Sequence, residues 1–120
     1  MKDDAVYIQH ILQCIARIEA YTALGETAFQ ASLLQQDAVL RNLQTLAEST
    51  QRLSTARKEM IPDIPWELIA GFRNVLVHDY LGIDLEVIWR IIQEDIPPLK
   101  QAVATMSTDA EAPDSRAEAN

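Results

Sequence analysis

Apolar residues recur along this chain at spacings of three and four. Ile8, Ile11, Ile15 and Ile18 form one stripe, widened by Tyr7, Cys14 and Tyr21, which predicts an amphipathic helix over residues 4–24 with Gly25 as its stop. The segment ETAFQASLLQQ fits either a short helix or a loop leading into the next element. A second stripe, Val39, Leu43, Leu46, Thr50 and Leu53, predicts a helix from about Leu33 to Leu53. In RLSTARKEMIPDIPW the pattern breaks. Ser54 suits the cap of a short helical turn, and Pro62 and Pro65 forbid a continuous helix. Pro65 then fits the first turn of a third helix, with Glu67 at the positive end of its dipole. Ile69, Phe72 and Leu76 give that helix its apolar face, and Gly82 marks its end or a turn just beyond. Asp84 caps a fourth helix with the stripe Leu85, Ile88, Ile92, Leu99, Val103 and Met106, which Pro97 and Pro98 should kink. No strand alternation of any length and no internal repeat is present. The pattern predicts an all-α fold: an antiparallel bundle of four main helices, up to five with short ones, joined by short connections.

Length adds that this is one domain, and a hydrophobic content of 48% is enough for a proper core. Few aromatics and only three glycines favour helices packed with Leu, Ile, Val and Ala. The net charge of −8 argues against a protein that coats nucleic acid by charge alone, since such binding depends on Lys and Arg displacing phosphate counterions. Part of that excess is local. In the last fourteen residues Asp109, Glu111, Asp114 and Glu118 outnumber Arg116 by three, so residues 1–106 carry −5. Residues 107–120 are small and polar without apolar periodicity, and read as a disordered acidic tail after a helical domain over 1–106. No apolar run approaches the ~18 residues of a membrane span. The opening MKDDAVYIQH places acids where a secretion signal has basic and apolar residues, so a cytoplasmic location is expected. The single cysteine, Cys14, cannot close an internal disulfide and reads as a small apolar core residue.

Most familiar chemistry is missing. The chain has no Gly-rich phosphate loop, no CxxC, no HExxH and no acidic loop of calcium-binding spacing. His10 and His78 lie in different predicted helices without obvious co-ligands three or four residues away, so no metal site and no cofactor is expected. His10, among polar positions, reads as a surface residue. No nucleophilic serine or cysteine accompanies His78.

One stretch stands apart. GFRNVLVHDYLG, residues 71–82, packs Arg73, Asn74, His78, Asp79 and Tyr80 into an otherwise apolar helix. Helical geometry gives it two polar rows. Arg73 and Tyr80, seven apart, project the same way; Asn74 and His78, four apart, form a second row around the helix. Arg73 and His78 therefore do not point in one direction, and would converge on one phosphate only across a partner surface. Two readings stand. In the plainer one His78 complements the helix dipole, Arg73 pairs with an acid, and Tyr80 packs its ring with the hydroxyl outward. In the other the group is a site, because burying Arg and His among apolar neighbours costs several kcal/mol unless they have partners.

The spacing Arg73-x4-His78-x-Tyr80 resembles the signature of the HEPN superfamily, specifically the HepT toxins. The likeness extends through DAVLRNLQTLAESTQRLS (37–54), IPDIPWELIAGFRNVLVHDYLGIDLEVIW (61–89) and EDIPPLKQ (94–101), covering roughly residues 4–105. A departure is TLAES (45–49), where many relatives carry a glycine-containing stretch around the glutamate. The resemblance implies a HEPN-type helical bundle acting as a metal-independent endoribonuclease, the toxin of a type VII toxin–antitoxin pair. It implies an MntA-type minimal nucleotidyltransferase as antitoxin, which attaches AMP to the motif tyrosine. It assigns RNA cleavage to Arg73 and His78 and the modification to Tyr80.

The residue chemistry agrees with that assignment. A ribonuclease without metal uses the RNA's own 2′-hydroxyl as nucleophile, so it needs a proton-transfer group of near-neutral pKa and a fixed cation. His78 suits the first task and the planar fork of Arg73 the second. Asn74, on the histidine row, suits orienting His78 or a phosphate; Asp79 is either a supporting residue or simply solvated. One histidine is few for acid and base roles together, and a two-fold homodimer with the third helix near its axis would bring two copies to one cleft. The second helix carries a further polar row, Asp37, Arg41 and Glu48, in which Asp37 and Arg41 are placed for an i,i+4 pair. That row is either a solvated face or a supporting shell. The alternative to an enzyme is a non-catalytic HEPN module that binds a nucleotidyltransferase partner or a nucleotide.

Overall fold

The computed structural model describes the backbone of residues 2–78 and 84–119, and side chains over 4–73 and 84–107. The described chain is helical throughout its regular elements. Helix α1 spans Lys2–Tyr21, α2 Glu26–Ala31, α3 Leu33–Arg52, α4 Thr55–Glu59, α5 Trp66–His78, α6 Leu85–Arg90 and α7 Ile96–Ala119, with a π-helical turn over Ile91–Asp95 joining the last two. The four main helices expected from periodicity are α1, α3, α5 and the α6–α7 arm; α2 and α4 are the short additions.

Helix direction follows from contacts between distant residues. Asp4, near the start of α1, is 2% exposed and its carboxylate accepts from Ser54 N at 2.8 Å and Ser54 Oγ at 2.7 Å, just past the end of α3. Glu19, near the end of α1, pairs with Lys100 Nζ at 2.9 Å in the first turns of α7. Helix α1 is therefore antiparallel to both α3 and α7. The three share a core of Ile8, Ile11, Ile15, Ile18, Val39, Leu43, Leu46, Leu99, Val103 and Met106, the apolar stripes read from the sequence. Burying each such side chain contributes about 1.5–3 kcal/mol relative to exposure, so these stripes dominate the packing energy. Helix α5 lies on α3. Ile69 and Phe72 are buried on it, and Leu76, the third expected apolar position, lies outside the described side chains.

The boundaries have local causes. Ser32 caps α3 through Gln35 N, Ser54 caps α4 through Arg57 N, and Asp84 caps α6 through Glu86 N and Val87 N. Gly25 is not the terminus of α1, which ends at Tyr21; it stands before α2 with φ 98°, a conformation that glycine adopts without the Cβ penalty. The ambiguous segment after it divides into α2 and the first turn of α3. Phe29 of α2 is fully buried, its ring 5.6 Å from that of Trp89 in α6.

The irregularity expected at Pro97 and Pro98 takes the form of the π turn. Neither proline has an N–H, so the carbonyls one turn earlier lose their α-helical donors. In the π turn just before them Ile96 N donates to Ile91 O, five residues back. Helix α7 continues to Ala119. Its alanines and glutamates are strong helix formers and extend a helix that tertiary packing has already nucleated.

Candidate active site

Helix α3 presents Arg41, Gln44, Thr45 and Glu48 along one face, the i, i+3, i+4, i+7 positions that stack on a helix side. Helix α5 brings Arg73 opposite them. Together the five side chains line a polar cleft of about 320 Å³. Arg73 Nε lies 3.5 Å from Glu48 Oε1, with the two side chains 53% and 52% exposed. Arg73 therefore does pair with an acid, and that acid comes from the polar row of α3. Both side chains are about half exposed, so the pair is open to solvent.

The α3 row is arranged otherwise than its spacing suggests. Asp37 and Arg41 are both exposed, but no ion pair joins them among the described residues. An exposed i,i+4 pair contributes only about 0.3–0.5 kcal/mol, too little to hold two solvated side chains in one geometry. Gln44 and Thr45 are cleft residues that the sequence reading missed. Their signal was present, since they fill the face between Arg41 and Glu48.

Asn74 and His78 belong to α5, on the helix that carries Arg73, with side chains outside the described set; Asp79 and Tyr80 lie outside the described residues altogether. The helical backbone from Arg73 to His78 is continuous, and at 1.5 Å per residue the two Cα atoms differ by about 7.5 Å along the axis.

Other features of the molecule suit this chemistry less well. A cleft of about 510 Å³ between α5 and α6 is walled by Leu68, Phe72, Val87 and Ile91, and its charged lining of Glu67, Glu94, Asp95 and Arg90 is net negative. The α3–α5 cleft, with two arginines against one glutamate, has a positive excess. Cys14 is buried, and desolvation pushes its thiol up despite the opposing charge of Arg17, so it is a core residue and not a nucleophile. His10 is exposed and meets the Tyr7 ring edge-on at 6.4 Å. Among the described residues no three His, Cys, Asp or Glu side chains gather as metal ligands, and no helix is long and apolar enough to cross a membrane.

Comparison with known proteins bears on the same elements. The family model described as Ribonuclease HepT-like matches residues 11–106. The chain is 37% identical over 103 residues to "Gamma-glutamylcyclotransferase and putative RNase MJ0434" of Methanocaldococcus jannaschii, covering 85% of this chain and 46% of that protein. It is 36% identical over 97 residues to "Probable ribonuclease HepT" of Thermococcus cleftensis, covering 78% of this chain and 86% of that one. A third relative, "Putative RNase TTE0752" of Caldanaerobacter subterraneus, is 33% identical over 104 residues, covering 86% and 93%. The chain thus spans less than half the first relative and nearly all of the third. No solved structure matches it. The family match runs from the middle of α1 through Met106 and includes both walls of the arginine cleft: this chain belongs to the HepT-like family of the HEPN superfamily.

Proposed function

We propose that the protein is a metal-independent endoribonuclease, the toxin of a type VII toxin–antitoxin pair. The observation that carries the reading is the placement of Arg73. Its guanidinium lies with Nε 3.5 Å from Glu48 in a solvent-open cleft of positive excess, on the helix that carries His78. An exposed arginine fork on a histidine-bearing helix suits in-line cleavage of a phosphodiester.

In this reading His78 removes the proton from a ribose 2′-hydroxyl, and the 2′-oxygen attacks the adjacent phosphorus. Negative charge builds on the non-bridging oxygens, where Arg73 stabilises it. The bond to the 5′-oxygen breaks, and that oxygen takes a proton from a second imidazolium. The products are a 2′,3′-cyclic phosphate and a 5′-hydroxyl. The second imidazolium is assigned to His78 of another copy of the chain, which makes the active form a two-fold homodimer with α5 near the axis. Asn74 orients His78 or a phosphate oxygen, and Asp79 supports the histidine from the next position. The regulatory partner is an MntA-type nucleotidyltransferase that transfers AMP to Tyr80, and the setting is cytoplasmic.

The test is cleavage of single-stranded RNA by the purified chain in EDTA, with analysis of the product ends. Arg73→Ala and His78→Ala should each lower the rate by ~10²–10³ or more while the helical circular dichroism is unchanged. Cyclic phosphate ends are expected, and a reaction stopped by chelation would reject the mechanism. The net charge of −8 favours a second reading, a non-catalytic module that binds the nucleotidyltransferase or a nucleotide. It would be adopted if the wild-type chain bound that enzyme and cleaved no RNA.

A further inference from the structure

The α3–α5 cleft holds a second arginine whose role the cleavage chemistry leaves open. Arg41 is exposed and enters none of the ion pairs among the described residues, whereas Arg73 is held by Glu48. Both line the same polar cleft. Arg41 lies seven residues before Glu48 on α3, about 10.5 Å along the helix at 1.5 Å per residue. That separation puts it beyond the phosphate that Arg73 engages, at the far end of the same cleft.

The residues between are neutral. Thr45 gives its hydroxyl hydrogen to the Arg41 carbonyl oxygen at 3.0 Å, so it offers the cleft lone pairs and no proton. An acceptor of that kind repels a phosphate oxygen, so the charged anion contacts are the two arginines at either end, with the Gln44 amide as a neutral donor between them. On a chain of net charge −8, a cleft with positive charge at both ends and a single carboxylate is suited to a polyanion laid along it.

We propose that Arg41 is a second phosphate contact, holding a phosphodiester beside the scissile one, so that the α3–α5 cleft is a track for one RNA strand. Arg41 is then a binding and register residue and takes no part in proton transfer. The inference rests on the ribonuclease reading above.

Two measurements on the full chain test it. The first is binding of a short mixed-sequence 2′-O-methyl strand, which cannot cyclise, as a function of salt. Losing one phosphate contact to a single strand should lower the slope of log affinity against log salt by about 0.7. Arg41→Ala should show that loss with every sequence tried, and Arg41→Lys, which keeps a point charge, should recover it. The second is RNA cleavage kinetics, where Arg41→Ala should raise KM by about tenfold while kcat falls far less. An unchanged slope and KM in Arg41→Ala, beside normal wild-type cleavage that Arg73→Ala abolishes, overturns the inference and leaves the ribonuclease reading intact. A wild-type chain that neither binds the strand nor cleaves RNA overturns both.

Discussion

Arg73 and Glu48, from α5 and α3, meet across an open cleft with Nε and Oε1 3.5 Å apart. Both side chains are about half exposed, and ion pairs of that kind contribute little to stability, roughly 0–1 kcal/mol. The contact matters for direction. A carboxylate beside Nε biases the guanidinium toward Glu48 without occupying its two amino groups, the edge that grips phosphate oxygens. Glu48→Gln should therefore lower RNA cleavage by about tenfold through misplacement of Arg73, with little change in melting temperature. A rate unchanged in Glu48→Gln would show that the pair does no positioning.

A second prediction concerns the tie between the start of α1 and the end of α3. The Asp4 carboxylate is buried, accepts two hydrogen bonds from Ser54 and lies 3.8 Å from Arg57 Nε. Asp4→Ala would strip the Ser54 backbone N–H of its partner, at a cost of about 2 kcal/mol. For a domain of this size that lowers the melting temperature by roughly 8 °C or more. Differential scanning calorimetry of the two proteins measures it, and a shift of only a degree or two would show that water replaces the lost acceptor.

Stability should also respond to Asp95 in the π turn. Burial raises its carboxyl above the ordinary value of 3.8, Glu94 raises it further, and Arg90 opposes both. The folded state thus holds the proton more tightly than the unfolded one, and ionising Asp95 destabilises the fold as pH rises from 3.8 through the folded pKa. Asp95→Asn should melt at a higher temperature than wild type near neutrality, with the gap closing as pH falls to 3.8 and below. A gap independent of pH would assign the effect to something other than ionisation.

The regulatory proposal is read at Tyr80. Its hydroxyl is the assigned AMP acceptor, and a phosphate attached two residues past His78 would compete with RNA for Arg73. Incubation with the cognate nucleotidyltransferase, ATP and magnesium should add AMP mass units to the wild type and none to Tyr80→Phe. The modified chain should be inactive with its fold unchanged, and Tyr80→Phe should keep much of the nuclease activity. Increments that persist in Tyr80→Phe would move the acceptor elsewhere.

The sequence by itself determined the helices. Stripes such as Ile8–Ile18 and Val39–Leu53 have a period that only an α-helix buries on one face, and Ser54 and Asp84 cap helices because their side-chain oxygens reach free N–H groups within the same few residues. Arg73, His78 and Tyr80 stood out for the same local reason, as polar groups at helical spacing in an apolar run. The tertiary structure decided what periodicity along one chain cannot carry. Asp4 meets Ser54 fifty residues later, and Phe29 meets Trp89, because packing brings helix ends together irrespective of their distance in sequence. Glu48 pairs with Arg73 although spacing within α3 suggested only a pair between Asp37 and Arg41. An exposed pair on one helix gains too little to fix two mobile side chains, whereas the cleft between α3 and α5 brings Glu48 and Arg73 together from opposite walls. Turning a row of polar residues on α3 into the wall of an arginine cleft required the second helix.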